Sequence, residues 1–207
     1  MKLYSIQASN NCRRVNATIA HLGLTVEVVE PNLKGGEHKQ PAFLAINPNG
    51  KVPVLVDGDF TLWEGRAIMQ YLASTVPGNT LWPADPKKQA DISRWFFWET
   101  AHLSKATGTF GFEKMFKPMF MKQEPDMAAV ASAEKDFHAV APVLNGHLEG
   151  KKFLLGDDVT LADFTVGACF SFADAAGLPW GDYKHIQAWW TRLNDVPAWK
   201  NSAPKFG

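Results

Sequence analysis

The fold is decided by residues 47–68, which read NPNGKVPVLVDGDFTLWEGRAI. An Asn-Pro-Asn-Gly turn leads into an apolar strand predicted at residues 52–56, and Pro53 lies near its start, where it donates no ladder hydrogen bond. A second predicted strand, Phe60–Trp63, ends at Glu-Gly-Arg, where a helix begins. This layout predicts unpaired backbone groups around Val52 beside helix N-terminal amides, a carboxylate and a guanidinium. Such a set of donors and acceptors is a pattern for binding a small zwitterion.

The charges and cysteines of the chain restrict its partners and its location. The formal charge is zero, because 21 Lys and Arg residues balance 21 Asp and Glu residues over 207 positions. No polybasic run indicates a nucleic acid or an anionic membrane as a partner. The two cysteines lie far apart, and no apolar run resembles a signal peptide or a membrane span. These features predict a soluble protein of the cytoplasm.

The chain divides into two parts of different character. Residues 1–78 alternate short strands with helices, residues 79–86 form a linker, and residues 87–207 show only helical patterns. The predicted fold class is therefore α+β, with the order β-α-β-α-β-β-α in the first domain and helices alone in the second. The predicted strands of the first domain are 2–6, 25–29, 52–56 and Phe60–Trp63, and its predicted helices are 11–23, a turn near Phe43 and 65–76.

One apolar run in the second domain predicts a central helix. Residues 161–177 are apolar nearly all round, which indicates a single helix that is buried on every side. Thr160 is a good N-cap, and Asp163 three residues later predicts a variant capping box. The start of this helix is therefore well specified.

Three motifs carry a resemblance to a known family. They are Asn47-Pro48 with Val52-Pro53-Val54-Leu55, then Glu64-Gly65-Arg66-Ala67-Ile68, then Gly156-Asp157 with Thr160-Leu161-Ala162-Asp163. In this order and at this spacing, the chain resembles the cytosolic glutathione transferase superfamily over essentially its whole length. Residues 9–13 and 36–39 are most similar to the phi, theta and delta classes, which use a serine, and the resemblance is to the bacterial type of such proteins. The resemblance implies a thioredoxin-like N-terminal domain, an all-helical C-terminal domain and glutathione as the cosubstrate.

Ser9 is the candidate for activating the sulfur of glutathione. That chemistry requires a thiolate, whereas a free thiol has a pKa of ~8.5. Ser9 falls between the first strand and the first helix, where a hydroxyl and the helix dipole can stabilise the same anion. The resemblance aligns Ser9 with the catalytic serine of the family. The alternative is an ordinary helix N-cap, for which serine is well suited.

Other groups near Ser9 are rival candidates. Cys12 would complete a Ser-x-x-Cys in the place of a thioredoxin-type Cys-x-x-Cys, although an inward-facing structural cysteine is the simpler interpretation. Asn10 or Asn11 could donate to the thiolate through a side-chain amide. Tyr4 corresponds to the tyrosine of other classes, but it is predicted inside the first strand and is interpreted as a packing residue.

The opening stretch offers a matching group for each part of glutathione. Val52, before a Pro53 that is cis by resemblance, would pair its N–H and C=O with the cysteinyl unit. Glu64 would accept from the γ-glutamyl ammonium, and the amides of Gly65 and Arg66 would bind the adjacent carboxylate. Gly65 departs from the family, which has serine there. The missing hydroxyl removes a hydrogen bond worth roughly 0.5–1.5 kcal/mol.

Positive side chains beside this stretch are candidates for binding the glycyl carboxylate. The candidates are His38, Lys39 and Lys51. Each of them alone is more often a solvated surface charge, and only the placement beside Val52 favours a binding role.

The second substrate is expected to bind in the helical part of the chain. The candidate pocket residues are Phe110, Phe112, Met115, Phe116 and Met119. Soft, rotatable side chains suit an adaptable apolar pocket, although the spacing from Phe112 to Met119 is equally that of a helical core face. Glu99 and His102 have the spacing of half a di-iron site, but no second copy accompanies them, so no metal is expected.

The resulting hypothesis is a detoxifying glutathione transferase that conjugates the thiolate to a small apolar electrophile. The resemblance implies a homodimer, and no nucleic acid or membrane partner is expected. One alternative is a glutathione-dependent isomerase, dehalogenase or peroxidase on the same fold, and another is a non-catalytic binding protein. The zeta-class isomerase motif Ser-Ser-Cys-Ser-Trp-Arg differs from Ser-Asn-Asn-Cys-Arg-Arg at residues 9–14, which disfavours that isomerase.

Overall fold

The computed structural model describes residues 1–206 and contains two compact units. The first, called here the sheet unit, contains Met1–Trp82 together with the chain from Val196 onward. The second, called the helical unit, is Pro83–Asp195. The end of the chain therefore groups with the sheet unit, although it follows the helical unit in sequence.

The sheet unit is built on four short strands. They are β1 Lys2–Tyr4, β2 Glu27–Val29, β3 Val54–Asp57 and β4 Phe60–Trp63, in the spatial order β2-β1-β3-β4. β1 is parallel to β2 and antiparallel to β3, with Leu3 opposite Val28 on one side and Leu55 on the other. Leu3 and Leu55 are fully buried, so the two central strands carry the core of this unit.

Ten α-helices complete the described chain. They are α1 Asn10–Leu22, α2 Pro41–Ile46, α3 Gly65–Ser74, α4 Pro86–Trp98, α5 Ser104–Gly111, α6 Met127–His147, α7 Leu161–Ala168, α8 Ala173–Ala176, α9 Lys184–Asp195 and α10 Pro197–Asn201. In the sheet unit α1 packs against α3 and α10. The predicted thioredoxin-like order of strands and helices is confirmed. Within residues 1–206, no helix has both the length and the apolar composition needed to cross a membrane.

Several predicted strand limits are wrong by a few residues. β3 begins at Val54 and not at residue 52, because Pro53 has no N–H to donate to the sheet. β1 ends at Tyr4 and not at residue 6, so Tyr4 is the last residue of its strand and not an interior one. Its ring packs edge-on against Phe43, with ring centroids 5.8 Å apart, as expected of a packing residue.

Two π-helical segments occur in the first long helical stretch of the helical unit: Glu99–Leu103 interrupts the stretch and Phe112–Met121 ends it. Because a π-helix forms i→i+5 hydrogen bonds, residues at α-helical spacing do not share one face there. Met115 is 8% exposed, whereas Phe112 is 47% and Met119 is 50% exposed. The interpretation of these residues as one helical core face is therefore wrong.

The single helix predicted at residues 161–177 is also wrong. In the structure this stretch is divided into α7 and α8. The division follows Ala168, because the next two N–H groups bond to carbonyls three residues back. Cys169 N–H donates to the Val166 carbonyl at 3.1 Å, and Phe170 N–H donates to the Gly167 carbonyl at 2.9 Å. The tighter turn buries Phe170, which is 1% exposed, among aromatic rings that include Trp180 and Trp189. An apolar run that is buried on all sides has no periodicity to reveal such a break.

Asp163 organises the start of α7, as the capping-box prediction expects. Its Oδ2 accepts from the Thr160 N–H at 2.9 Å and from the Thr160 hydroxyl at 3.0 Å. Its Oδ1 accepts from the Leu154 N–H and from the Trp189 Nε1–H, both at 2.9 Å. Asp163 is 0% exposed, and burial raises the pKa of its carboxyl against the lowering effect of these hydrogen bonds. One side chain therefore joins α7, α9 and the segment that precedes them.

His147 gives the helical unit a predicted dependence on pH. Its Nε2 lies 2.8 Å from the Leu154 carbonyl, its ring packs 4.6 Å from Trp95, and burial lowers its pKa below the ordinary 6.5. Because the unfolded chain takes up the proton first as pH falls, neutral His147 stabilises the fold above the unfolded pKa of ~6.5, and this contribution is lost as pH falls through the lower folded pKa.

We expect the free energy of unfolding to fall between about pH 7.5 and about pH 5.5, and to fall less in His147→Gln, which removes this titration. Denaturant unfolding of both proteins at the two pH values measures the difference. Equal losses of stability in the two proteins would contradict the assignment to His147.

Candidate functional site

Ser9 lies at the turn between β1 and α1 and is the N-cap of α1. Its backbone is extended, with φ −95° and ψ 124°, and its Oγ accepts a hydrogen bond from the Cys12 N–H at 3.3 Å. The N-cap interpretation is therefore confirmed, and it is compatible with a second role. A hydroxyl carries a donor proton besides its acceptor lone pairs, so a half-buried Ser9 can cap the helix and donate to an anion.

Cys12 lies inside the sheet unit and has the environment of a structural cysteine. It is 0% exposed and forms no disulfide. Burial raises the pKa of the Cys12 thiol, although the Ile6 N–H, with its nitrogen 3.5 Å from Sγ, acts in the opposite direction. A thiol with a raised pKa stays protonated at neutral pH and is a poor nucleophile. Asn11, by contrast, is exposed on the first turn of α1.

The Val52–Pro53 peptide bond is cis, and it precedes the first residue of β3. Val52 is half-buried, and within residues 1–206 neither its N–H nor its C=O forms a hydrogen bond. Backbone groups at this depth normally have partners. Val52 therefore presents one donor and one acceptor in the arrangement of an unpaired strand edge, which an extended peptide can complete.

Gly65 is the point where the predicted site residues meet. It is buried at the start of α3, and a Cβ placed on it would lie 3.3 Å from the Asn11 carbonyl oxygen, 3.5 Å from Arg14 Cδ and 3.6 Å from Pro53 Cγ. The N-terminal ends of α1 and α3 and the Val52–Pro53 bond are therefore neighbours. The close approach to Asn11 also gives a physical reason for glycine at this position, because a side chain there requires a small backbone shift.

Glu64 is held in an unusual backbone conformation immediately before α3. Its φ is 74° and its ψ 110°, a region that residues with a side chain rarely adopt. Such a conformation costs on the order of 1–3 kcal/mol and is often found at functional sites. Glu64 is the exposed N-cap of α3, and its side chain forms no cap hydrogen bond, so its carboxylate is available to a ligand.

Asn47 is indicated by the sequence only as a turn residue, but it supports the site. It is 2% exposed, its Nδ2 donates to the Lys51 carbonyl at 2.7 Å, and its Oδ1 accepts from the Asn49 N–H at 3.0 Å. These bonds fix the path of the chain that enters Val52. The sequence does not reveal this supporting role, because an Asn-Pro-Asn-Gly sequence alone indicates an exposed turn and gives no sign that Asn47 is buried.

The three candidates for binding the glycyl carboxylate flank the turn at residues 47–50 in the sequence: His38 and Lys39 precede it, and Lys51 follows it. His38 and Lys39 belong to the 3-10 turn Glu37–Lys39, and a Cβ on Gly50 would lie 2.9 Å from the His38 carbonyl oxygen, so the two turns touch. Lys39 and Lys51 are exposed. His38 is half-buried, and its Nδ1 is buried with no hydrogen-bond partner in the described chain, residues 1–206.

The five candidate pocket residues lie in the helical unit and differ in burial. Phe110 and Met115 are buried, Phe116 is half-buried, and Phe112 and Met119 are exposed. Phe116 lies 5.6 Å from Phe120 and 5.7 Å from Phe172, measured between ring centroids. Phe110 and Met115 are therefore packed inside the helical unit, whereas Phe112 and Met119 present an exposed apolar surface.

The sheet unit thus combines a hydroxyl at a helix N-terminus, an unpaired backbone edge, a second helix N-terminus and an exposed carboxylate. A helix N-terminus favours an anion, a carboxylate favours an ammonium, and an unpaired edge favours a peptide. Together they are suited to a short zwitterionic peptide.

A thioredoxin-like sheet unit with this site, joined to a helical unit, defines a class of two-domain glutathione-dependent proteins. Residues 1–74 match the family model of the glutathione S-transferase N-terminal domain, and residues 110–197 match that of the glutathione S-transferase C-terminal domain. A glutathione S-transferase of Hyoscyamus muticus is 35% identical over 206 residues, which cover 98% of this chain and 97% of the relative. The chain belongs to the glutathione S-transferase family.

Solved structures agree with this assignment. Glutathione transferase F7 of Populus trichocarpa has a TM-score of 0.90 and 30% sequence identity, covering 98% of this chain and 97% of its own. A glutathione S-transferase-I bound with lactoylglutathione has a TM-score of 0.88 and 29% identity, with coverage of 98% and 97%. The similarity extends over both units.

Proposed function

We propose that the chain is a glutathione transferase in which Ser9 stabilises the glutathione thiolate for attack on an electrophilic carbon. Family membership over nearly the whole chain supports the transferase activity with glutathione as cosubstrate. The single observation that supports the site is the meeting of the two helix N-termini and the cis Val52–Pro53 bond at Gly65.

Ser9 would act on the sulfur through the proton of its hydroxyl. The thiol of glutathione loses its proton to solvent, and the hydroxyl and the N-terminal dipole of α1 favour the anion. The sulfur then forms a bond to the electrophilic carbon, and the leaving group departs with its electron pair. Cys12 is not needed in this scheme, because its buried thiol has a raised pKa and remains protonated.

The rest of the tripeptide would lie along the sheet unit. Val52 would exchange two hydrogen bonds with the cysteinyl backbone, and Glu64 would accept from the γ-glutamyl ammonium. The first N–H groups of α3, from Gly65 and Arg66, would bind the γ-glutamyl carboxylate. His38, Lys39 and Lys51 are proposed for the glycyl carboxylate, because their turns adjoin the segment that enters Val52.

Replacing Gly65 with serine is expected to strengthen glutathione binding relative to Gly65→Ala. Both variants carry a Cβ 3.3 Å from the Asn11 carbonyl oxygen, so both bear the same packing cost. Only serine adds a hydroxyl for the γ-glutamyl carboxylate, which is worth roughly 2-fold to 12-fold in Kd. Isothermal titration with glutathione measures the difference, and equal affinities would contradict the proposed position of the carboxylate.

Replacing Glu64 with glutamine is expected to weaken glutathione binding about tenfold, because a hydrogen bond to an ammonium loses its charge. The amide keeps the size of the side chain and the backbone at this position. A glutathione analogue without the γ-glutamyl amino group provides the matched control, since it should bind both proteins equally. If the variant weakens the analogue as much as glutathione, Glu64 does not contact the ammonium.

The second substrate is proposed to be a small apolar electrophile, consistent with a detoxifying role in the cytoplasm. The apolar side chains of the helical unit support this, since Phe112 and Met119 are exposed. A homodimer is proposed from family membership, and light scattering of the purified protein tests it.

Two assays test the proposed function as a whole. The protein should be retained on immobilised glutathione, and it should turn over a general aryl halide in the presence of glutathione. Failure of both assays would contradict the proposed function. Retention without turnover would instead support a non-catalytic glutathione-binding protein.

A further inference from the structure

A separate pocket lies in the helical unit, between α8, the loop that follows it and α9. Its volume is about 330 Å³, and it is lined by Asp174, Trp180, Gln187, Trp190 and Thr191. This volume is within the range of small-molecule sites, which begins at about 300 Å³. None of these residues has a part in the proposed glutathione chemistry.

Two indole rings line this pocket, and both lie against the buried ring of Phe170, whose centroid is 6.2 Å from that of Trp190. The rings of Trp180 and Trp190 are nearly perpendicular, at 74°, with centroids 6.2 Å apart. Trp180 stacks on Phe170 at 5.4 Å, and Phe170 is 1% exposed, so the core fixes this indole. Gln187 donates through Nε2 to the carbonyls of Trp180 and Gly181, at 3.0 and 2.8 Å, and this fixes the loop on α9.

The charge in the pocket is negative. Asp174 is exposed on α8, and within residues 1–206 its carboxylate forms no ion pair and no side-chain hydrogen bond. Thr191 donates its hydroxyl to the Gln187 carbonyl at 3.0 Å, and this hydroxyl carries no charge. The pocket therefore joins two aromatic rings to one carboxylate without a cation among its lining residues.

We propose that this pocket binds a small organic cation, an alkylated ammonium, against the indole rings of Trp180 and Trp190 with Asp174 as the counter-ion. The faces of indole rings attract cations through their quadrupole, and tryptophan is the best of the aromatic residues in this respect. An alkylated ammonium fits better than a metal ion, because its apolar surface can pack on the rings while its charge stays close to the carboxylate. The proposal does not depend on glutathione binding.

Choline and its uncharged isostere 3,3-dimethyl-1-butanol are the probes for this pocket. Their shapes match, so a difference in affinity reports the charge. Titrations of the full-length protein, followed through the indole N–H signals in NMR spectra, should show saturable shifts of Trp180 and Trp190. Choline should bind at least about fivefold tighter than the alcohol. Equal affinities, or the absence of saturable shifts at these two residues, would overturn the proposal.

Asp174→Asn and Asp182→Asn form the matched pair of variants. Both residues are exposed acids of the same segment, but only Asp174 lines the pocket. Asp174→Asn should weaken choline binding about twofold to fivefold and leave the alcohol unchanged. Asp182→Asn should leave both affinities unchanged, and glutathione turnover should be the same in all three proteins. Equal weakening by the two variants would mean that only the overall charge attracts choline, which would overturn the pocket assignment.

Discussion

Asp163→Ala is expected to lower the free energy of unfolding of the helical unit by about 4 kcal/mol. The carboxylate accepts from two backbone N–H groups, a hydroxyl and an indole N–H, and it is fully buried. Alanine leaves these donors without an acceptor in a place that water does not reach, and each unsatisfied donor costs on the order of 1–3 kcal/mol. This loss is a large part of the ordinary stability of a domain, about 5–15 kcal/mol.

Two further variants show whether the network causes the loss. Asp163→Asn keeps an oxygen for Leu154 and Trp189, but turns an amide toward the Thr160 N–H, so its loss should be intermediate. Asp157→Ala, at an exposed acid of the preceding turn, should change the stability by less than about 0.5 kcal/mol. Denaturant unfolding followed by tryptophan fluorescence measures all three. A loss in Asp163→Ala no greater than that in Asp157→Ala would contradict the role of the network.

Ser9→Ala is expected to reduce turnover of an aryl halide at neutral pH by about 100-fold, because one preorganised donor to the thiolate is lost. The same change also removes the N-cap of α1, which costs about 1 kcal/mol of stability. These two effects have to be separated. Steady-state kinetics and thermal unfolding of the same variant measure them independently.

Two other substitutions at this position separate the cap from the chemistry. Ser9→Thr keeps both the cap and the hydroxyl, so it should retain most of the turnover. Ser9→Asp keeps a good cap but replaces the donor with a negative charge, so it should be as stable as the wild type and inactive.

Cys12→Ala should leave turnover within about twofold, since the raised pKa of this thiol keeps it neutral. Full activity in Ser9→Ala together with loss in Cys12→Ala would transfer the role to Cys12, and full activity in both would direct attention to Asn10 or Asn11.

The fold can be predicted where local patterns and tertiary packing agree. The turn at residues 47–50, the hairpin of β3 and β4, and the capping box of Asp163 all have local sequence signals, and all are present. The division of residues 161–177 into α7 and α8 has no such signal, because a run that is apolar on all sides has no period to interrupt. The π-helical segment Phe112–Met121 escapes prediction for a related reason, since its side chains have α-helical spacing in the sequence.

The site can be predicted as a set of residues but not as an arrangement. The sequence indicates that Val52 has unpaired backbone groups, and the structure shows them. It does not indicate the positive φ of Glu64, because glutamate has no preference for that conformation. The absence of serine at Gly65 is visible in the sequence as a departure from the family. Its physical reason, the Asn11 carbonyl oxygen only 3.3 Å from the place of a Cβ, depends on how α1 and α3 pack.

The most direct test of the central claim is the titration of the glutathione thiol on the enzyme. The ultraviolet absorbance of the thiolate, recorded against pH with the wild type, with Ser9→Ala and with glutathione alone, gives the pKa of the thiol in each case. We predict that the wild type holds this pKa well below the ~8.5 of a free thiol, and that Ser9→Ala returns it most of the way to the free value while still binding glutathione. A bound thiol with the same pKa in the wild type and in Ser9→Ala would contradict the account.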